Sequence, residues 1–169
     1  IEYSNNLTFI GNIVASIVNK RPGSSFPTLD GIIIADSNNC LIKNNTLYME
    51  DFVTFPGLNN YLYGIDVWRV NSLTLDSNNI AILTTGGMLA AGTAYPIQIT
   101  GPSKRINITN NDLYSVSNGP NIGIYSQNYY GDTQLYIANN KINITGLEGN
   151  HSWELVAGIE AQDSNYTIV

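Results

Sequence analysis

The sequence predicts an all-β fold, a right-handed parallel β-helix (solenoid) of about five to six coils, as one unit spanning residues 1–169. Three observations lead to this prediction: short runs alternate apolar and polar residues, an eight-residue pattern recurs, and its asparagine returns about every 33 residues. Alternation with period two is typical of strands, because successive side chains point to opposite faces. Self-similarity at a fixed period indicates that each repeat stacks on the next.

The clearest copy of the repeat is the segment 31–49, which reads GIIIADSNNCLIKNNTLYM. It contains three alternating runs, which polar residues separate at 36–39 and 43–45. Asn, Asp and Ser favour turns because their side chains hydrogen-bond the nearby backbone. We therefore predict three strands and two tight turns per coil, a unit that buries apolar surface only when copies of it stack.

The recurring pattern places one asparagine in the second turn of each coil. It reads apolar, any, apolar, any, any, Asn, any, apolar, and its asparagines are Asn12, Asn45, Asn78, Asn111 and Asn140. Stacked parallel strands lie about 4.8 Å apart, so each of these side chains meets its equivalents above and below. We predict an internal Asn ladder, because an inward amide without partners costs about 1–3 kcal/mol. The usual hand of crossovers and strand twist predicts a right-handed coil.

The chain enters the first coil part-way, since Ile1 aligns with the end of the first strand of the next repeat. The later coils are predicted to start at Gly31, Gly64, Pro96, Gly123 and Gly158. Long insertions at 19–30, 50–63, 84–95 and 145–157 all follow the third strand, and repeat proteins carry such loops on one edge. No polar capping unit is visible at either end, so we expect a segment of a longer protein that stacks against neighbouring repeats, or a segment whose ends are covered by a neighbouring molecule.

Composition excludes several classes of function. The chain carries a net charge of −6 and only 12% charged residues, which makes nucleic acid an unsuitable partner because phosphate contacts dominate that affinity. No apolar run approaches the roughly 20 residues of a membrane helix, so we expect no membrane insertion.

The lone Cys40 occupies an inward position and is predicted to be buried filler. Since His151, Cys40 and the two methionines are scattered, we predict no metal site and no cofactor.

The repeat resembles the parallel β-helix repeats of the pectin-lyase-like superfamily, as the segment 31–49 and its echoes show. The closest form is the Asn-rich one of archaeal adhesin-like surface proteins and NosD-like periplasmic proteins. The resemblance covers essentially the whole chain, and it implies a fold that hosts lyases, hydrolases, epimerases and adhesins. For the enzymes of this superfamily it implies clustered carboxylates, often with Ca²⁺ or a basic residue, on the outer face of the first strand.

That outer face is the candidate site, and it fits binding better than catalysis. Its two carboxylates, Asp66 and Glu160, are predicted to lie three strands apart, or about 14 Å, whereas paired glycosidase carboxylates lie roughly 5–9.5 Å apart. We predict that Arg69 pairs with Asp36 in the previous coil. Flat rings beside planar donors and acceptors suit a sugar, although exposed strands also favour aromatics for their own sake. The candidate glycan-binding residues are Asp66, Trp68, Arg69, Gln98, Tyr125, Gln127, Glu160 and Gln162.

Sequons for N-glycosylation point to the cell surface. Asn150 is the most suitable acceptor because it lies in a predicted loop, and Asn107 and Asn143 are further candidates. We predict an extracellular, cell-surface location with a cell-surface or host glycan as partner. The first hypothesis for function is a non-catalytic adhesin-like segment. The alternatives are a polysaccharide-active enzyme whose catalytic coils lie outside this chain and a structural stalk.

Overall fold

The structure is a computed structural model that describes residues 1–19, 28–53, 60–86, 92–128, 134–147, 155–162 and 165–169. These residues form sixteen β-strands, and none of them lies in a helix. In chain order the strands are β1 (Thr8–Ile10), β2 (Ile13–Asn19), β3 (Thr28–Ala35), β4 (Asn38–Lys43), β5 (Thr46–Val53), β6 (Asn60–Trp68), β7 (Asn71–Asp76), β8 (Asn79–Gly86), β9 (Gly92–Thr100), β10 (Lys104–Thr109), β11 (Asp112–Ser117), β12 (Asn121–Gln127), β13 (Gln134–Ala138), β14 (Lys141–Gly146), β15 (Val156–Gln162) and β16 (Asn165–Ile168).

Each strand pairs in parallel with its equivalent in the neighbouring coil, and this pairing builds three sheets. Sheet A contains β3, β6, β9, β12 and β15; sheet B contains β1, β4, β7, β10, β13 and β16; sheet C contains β2, β5, β8, β11 and β14. Successive strands along the chain belong to successive sheets, so a coil passes once through all three. The predicted all-β parallel solenoid is confirmed, and the hand of its coil stays a prediction.

The number of coils is slightly lower than predicted. Within the described residues, four coils contain all three strands: β3–β5, β6–β8, β9–β11 and β12–β14. The pairs β1–β2 and β15–β16 belong to incomplete coils. The solenoid therefore has about four turns, against the five to six coils expected. The expectation counted every recurrence of the pattern, although the first and last recurrences contribute two strands each.

The strands of sheet A begin earlier than predicted. Strand β6 starts at Asn60 and β9 at Gly92, whereas the predicted insertions ran to residues 63 and 95. Strand β5 likewise continues to Val53, beyond the predicted start of its insertion. The insertions are therefore shorter than expected, and what remains of them, at 20–27, 54–59, 87–91 and 148–154, lies outside the described residues.

The glycine at which most coils were predicted to start explains this error, because it marks a close contact inside the strand and not the start of the strand. A Cβ at Gly64 would lie 2.5 Å from the carbonyl oxygen of Pro96 and 2.6 Å from Cγ2 of Ile80 in sheet C. At Gly123 a Cβ would lie 2.5 Å from Cγ2 of Ile142, again in sheet C. Glycine at this position lets sheet A approach sheet C closely enough to close the coil.

Aliphatic columns fill the interior as the repeat predicts. The register aligns one column in sheet A and one in sheet B, and their buried or partly buried members are Ile32, Ile65, Ile97, Ile124 and Ile159, then Leu7, Cys40, Leu73, Ile106 and Leu135. Cys40 is 4% exposed, which confirms that it is buried filler, and burial raises the pKa of its thiol. Removing such apolar surface from water contributes about 25 cal/mol per Å².

The predicted Asn ladder is present between sheets B and C. The Nδ2 groups of Asn12, Asn45 and Asn78 each donate at 3.0 Å to Oδ1 of the next asparagine, and Asn111 donates to Asn140 at 2.9 Å. The same Oδ1 atoms also accept from a backbone N–H of the preceding coil, as Asn111 Oδ1 does from Asn78 at 2.9 Å. The second Nδ2 hydrogen of Asn78 reaches the carbonyl of Ile42 at 2.9 Å. Every described ladder amide therefore ties two coils together.

The residue before each ladder asparagine adopts the left-handed conformation that the tight turn requires. Its φ lies between 54° and 69°, and the residues are Gly11, Asn44, Ser77, Asn110 and Asn139. Glycine and asparagine tolerate this conformation better than other residues do. The recurring polar pair thus has two separate tasks, since the first residue bends the chain and the second joins neighbouring coils.

Candidate functional site

The predicted binding residues lie on the outward face of sheet A, here called the A face. The strand register aligns Asp66, Gln98, Tyr125 and Glu160 in one outward column, the acceptor column, and Trp68, Thr100, Gln127 and Gln162 in a second. Parallel strands hold neighbouring members of each column about 4.8 Å apart. The structure therefore brings seven of the eight predicted residues onto one regular face, and Arg69 lies beside it in the turn after β6.

A stack of tyrosines occupies the A face next to the acceptor column, and the sequence analysis missed most of it. Ring centroids lie 5.6 Å apart between Tyr63 and Tyr95 and 5.1 Å apart between Tyr95 and Tyr125. Tyr61 extends the stack on Tyr63 at 6.4 Å. Because the rings face each other along the solenoid, Tyr95 has no open ring face for a sugar. Tyr125 has one ring face covered, so it is a poorer flat platform than predicted.

Burial perturbs the acidic side chains beside this stack. The pKa of Asp66 is raised to about 6, chiefly by desolvation and then by the nearby charge of Asp30, while the hydrogen bond from the backbone N–H of Val67 lowers it. Burial also raises the pKa of the Asp30 carboxyl. The stacked phenols are affected in the same way, since burial raises the pKa of Tyr95 to about 12. Low solvation disfavours the charged form of each group.

Several oxygen atoms on the A face have no hydrogen-bond donor among the described residues. They are Asp30 Oδ1, Asp66 Oδ1, Gln98 Oε1 and Glu160 Oε2, and each is shielded from solvent although its side chain remains partly exposed. A shielded acceptor without a donor costs about 1–3 kcal/mol. Proteins satisfy nearly all such groups with hydrogen bonds, so four unmet oxygens on one face make that face a candidate contact surface for a ligand.

Trp68 and Arg69 form a unit of their own at the end of β6. The indole is 43% exposed, and the guanidinium carbon of Arg69 lies 3.4 Å from its ring centroid. The same guanidinium bonds the carboxylate of Asp36 in the previous coil, which confirms the predicted ion pair. One face of the indole is therefore covered by a cation, and the positive charge of Arg69 is already paired.

A hydrogen-bonded chain links the two outward columns at their far end. The Tyr125 hydroxyl donates to Gln127 Oε1 at 2.7 Å, and Gln127 Nε2 donates to Gln162 Oε1 at 3.1 Å. Gln162 Nε2 in turn donates to Oε1 of Glu160. These four predicted residues therefore act as one fixed network in which only Glu160 keeps an unmet oxygen.

The geometry does not bring Asp66 and Glu160 together as a pair of glycosidase carboxylates. Asp66 and Glu160 lie on β6 and β15, with two strands between them, so the register confirms a separation of about 14 Å. The carboxylate that does lie near Asp66 is Asp30, which the repeat alignment did not show because Asp30 is paired with Tyr63 and Asp66 with Ile33. Among the described residues, no group of three His, Cys, Asp or Glu side chains could hold a metal ion.

The glycosylation candidates lie on two other sheets. Asn107 is exposed in β10 of sheet B, and Asn143 is exposed in β14 of sheet C. Asn150, the preferred candidate, lies outside the described residues. The described part of the chain also contains no helix that is long and apolar enough to cross a membrane.

Comparison with known proteins adds no identification. No protein-family model matches the chain, and no match was found among curated proteins or solved structures. The parallel solenoid is shown, whereas membership of the pectin-lyase-like superfamily stays a prediction.

Proposed function

We propose that this chain is a non-catalytic, adhesin-like β-helix segment of an extracellular, cell-surface protein that binds glycan through the A face. The observation that carries the proposal is the register of the two outward columns, which repeats polar groups and rings about every 4.8 Å along the solenoid. A linear polymer of sugars repeats its own hydroxyl groups in the same manner. A rigid sheet also presents these groups with little loss of conformational entropy on binding.

The Trp68 indole is the best ring for contact with a sugar, because it is the most exposed aromatic on this face. Tyr136 in sheet B offers a matched control, since it is 41% exposed but lies on a different face. We expect Trp68→Ala to weaken glycan binding about tenfold and Tyr136→Ala to leave it unchanged, because a stacked ring is worth about 0.5–1.5 kcal/mol beyond the area it buries. A glycan array followed by titration calorimetry with the best ligand measures both variants.

A polysaccharide-active enzyme is the second candidate, and Asp30 beside Asp66 favours it. A half-buried carboxyl with a pKa of about 6 next to a second acid is a common arrangement for a general acid. An assay for lyase and hydrolase products on uronate and neutral polysaccharides separates this candidate from the first. Turnover that Asp66→Asn abolishes would replace the binding proposal, whereas binding without turnover supports it.

A structural stalk is the third candidate, and the continuous ladder favours it. The ladder runs through Asn12 to Asn140 without a break, so the solenoid forms a rigid rod over the described coils. A glycan array on which the chain binds nothing, together with no turnover in the assay above, would favour the stalk over both other candidates.

A further inference from the structure

Charge is divided unevenly between the faces of the solenoid. The five strands of sheet A contain no Lys, Arg or His, although they contain the carboxylates of Asp30, Asp66 and Glu160. On the other sheets, Lys43 pairs with Asp76 at 2.7 Å and Lys141 pairs with Asp112 at 3.0 Å. The A face is therefore anionic, and Arg69, which lies beside it in the turn after β6, is bound to Asp36.

The A face also has more acceptors than donors. Its four unmet oxygens come from three carboxylates and one amide, and the described residues supply no donor for any of them. Because the four side chains are partly exposed, a small rotation of a carboxylate or amide presents the shielded oxygen to a donor that lies over the face. Charge-assisted hydrogen bonds are about twice as strong as neutral ones, so an ammonium group is the donor that this set favours most.

The aromatic groups favour the same kind of ligand. Ring quadrupoles attract cations, and the guanidinium of Arg69 already lies over the indole of Trp68. An anionic polymer such as a polyuronate would place its carboxylates against Asp66 and Glu160 with no cation between them, and like charges on such a face repel.

From this charge complementarity we infer that the glycan bound by the A face is a polymer of amino sugars that carry free ammonium groups. This inference rests on the proposed function and adds the class of ligand. The ammonium groups pair with the oxygens of the acceptor column and of Asp30, while the hydroxyl groups of the polymer bond the amides of Gln127 and Gln162. A chain lying along the solenoid axis meets one strand of sheet A after another, so several sugar units bind at once.

The test compares two oligosaccharides that differ only in the amine. Titration calorimetry at neutral pH uses a hexamer of β-1,4-linked glucosamine and the corresponding hexamer of N-acetylglucosamine. We expect the glucosamine hexamer to bind at least about tenfold more tightly, because acetylation removes the charge and two of the donor hydrogens. Asp66→Asn and Glu160→Gln should each weaken its binding about five- to tenfold. The matched control, Asp112→Asn on sheet C, should not change it.

The outcomes separate this inference from the function on which it rests. Equal or tighter binding of the N-acetylated hexamer would overturn the amino-sugar inference and leave glycan binding in place. No binding of any glycan in the array would overturn the proposed function as well. A lysine hexapeptide that binds as tightly as the glucosamine hexamer would show that the face selects charge and not sugar, which also overturns the inference. Binding of the wild-type chain that is insensitive to salt would do the same, because charge pairs on an exposed face are screened.

Discussion

The Asn ladder and the acceptor column arise from the same repeat, and both stack one polar residue per coil. In the ladder, each Oδ1 of the buried Asn45, Asn78 and Asn111 accepts two hydrogen bonds. In the acceptor column, Asp66 and Gln98 are neighbours in register, yet each keeps an oxygen without a described donor. The difference teaches that a polar stack in this fold satisfies itself when each coil supplies both a donor and an acceptor to its neighbour, and keeps unmet oxygens where carboxylates take that position.

The largest effect should follow from breaking the ladder. Asn78→Ala removes a 1% exposed side chain and leaves the Ile42 carbonyl and Asn111 Oδ1 each short of a donor, so we expect a loss of about 2–4 kcal/mol in the free energy of unfolding. Asn71→Ala is the control, because the side chain of Asn71 accepts a hydrogen bond from the exposed Arg105, and its loss should cost less than about 1 kcal/mol. Urea denaturation measures both variants, and equal midpoints would contradict the structural role of the ladder.

The aromatic part of the A face should show the next largest effect. Tyr95→Leu removes two ring contacts, with Tyr63 and Tyr125, each worth about 0.5–1.5 kcal/mol, so we expect a loss of about 1–3 kcal/mol. Trp68→Leu removes an exposed ring and should cost less than about 1 kcal/mol. Thermal unfolding of the two variants tests this order. A larger loss for Trp68→Leu would mean that the indole supports the fold and that the stack does not.

The stack escaped the sequence analysis for two reasons. Tyr63 and Tyr95 are direct register partners, but both were assigned to the predicted insertions, and the contact of Tyr95 with Tyr125 does not join equivalent positions. Alignment of the repeats identifies residues that stack directly, and it correctly predicted the ladder, the apolar columns and both outward columns. Tyr95 and Tyr125 occupy different positions in the repeat, because Tyr95 precedes Pro96 while Tyr125 follows Gly123 by two residues. Their contact is diagonal, as is the approach of Asp30 to Asp66, and no comparison of equivalent positions shows it. The predicted strand starts were wrong because a glycine that allows close packing resembles one that ends a turn.

Two aspartates sharpen the comparison through their opposite pKa shifts. Burial raises the pKa of Asp66 to about 6, so the folded state binds the proton of this carboxyl more tightly than the unfolded state does. The free energy of unfolding therefore falls as pH rises from about 4 to 6. Asp66→Asn should therefore stabilise the protein at neutral pH, by about 1 kcal/mol once partial exposure is allowed for, and the gain should vanish below pH 4. Urea denaturation across this pH range measures the effect.

Asp76 provides the contrast, because Lys43 and Asn110 donate hydrogen bonds to its carboxylate and lower its pKa to about 2. Its contribution to stability is present above its unfolded pKa of about 4 and is lost as pH falls through 2. Asp76→Asn should therefore destabilise the protein at neutral pH, opposite in sign to Asp66→Asn. The same sign for both variants would show that the A face does not leave Asp66 short of donors.

The smallest effect should come from Gln98, at the centre of the acceptor column. Its Oε1 has no donor among the described residues. Replacing the amide therefore removes an unmet acceptor without breaking a hydrogen bond to that oxygen. The side chain is partly exposed, so removing the unmet acceptor gains less than the full cost of a buried one, and the apolar surface of an outward leucine offsets that gain. We therefore expect Gln98→Leu to change the free energy of unfolding by less than about 0.5 kcal/mol. Glycan binding should nevertheless weaken, because the unmet oxygen is part of the set that a ligand would satisfy. Denaturation and calorimetry on one preparation separate the two effects, and a large loss of stability with unchanged binding would place Gln98 with the ladder amides as a structural group.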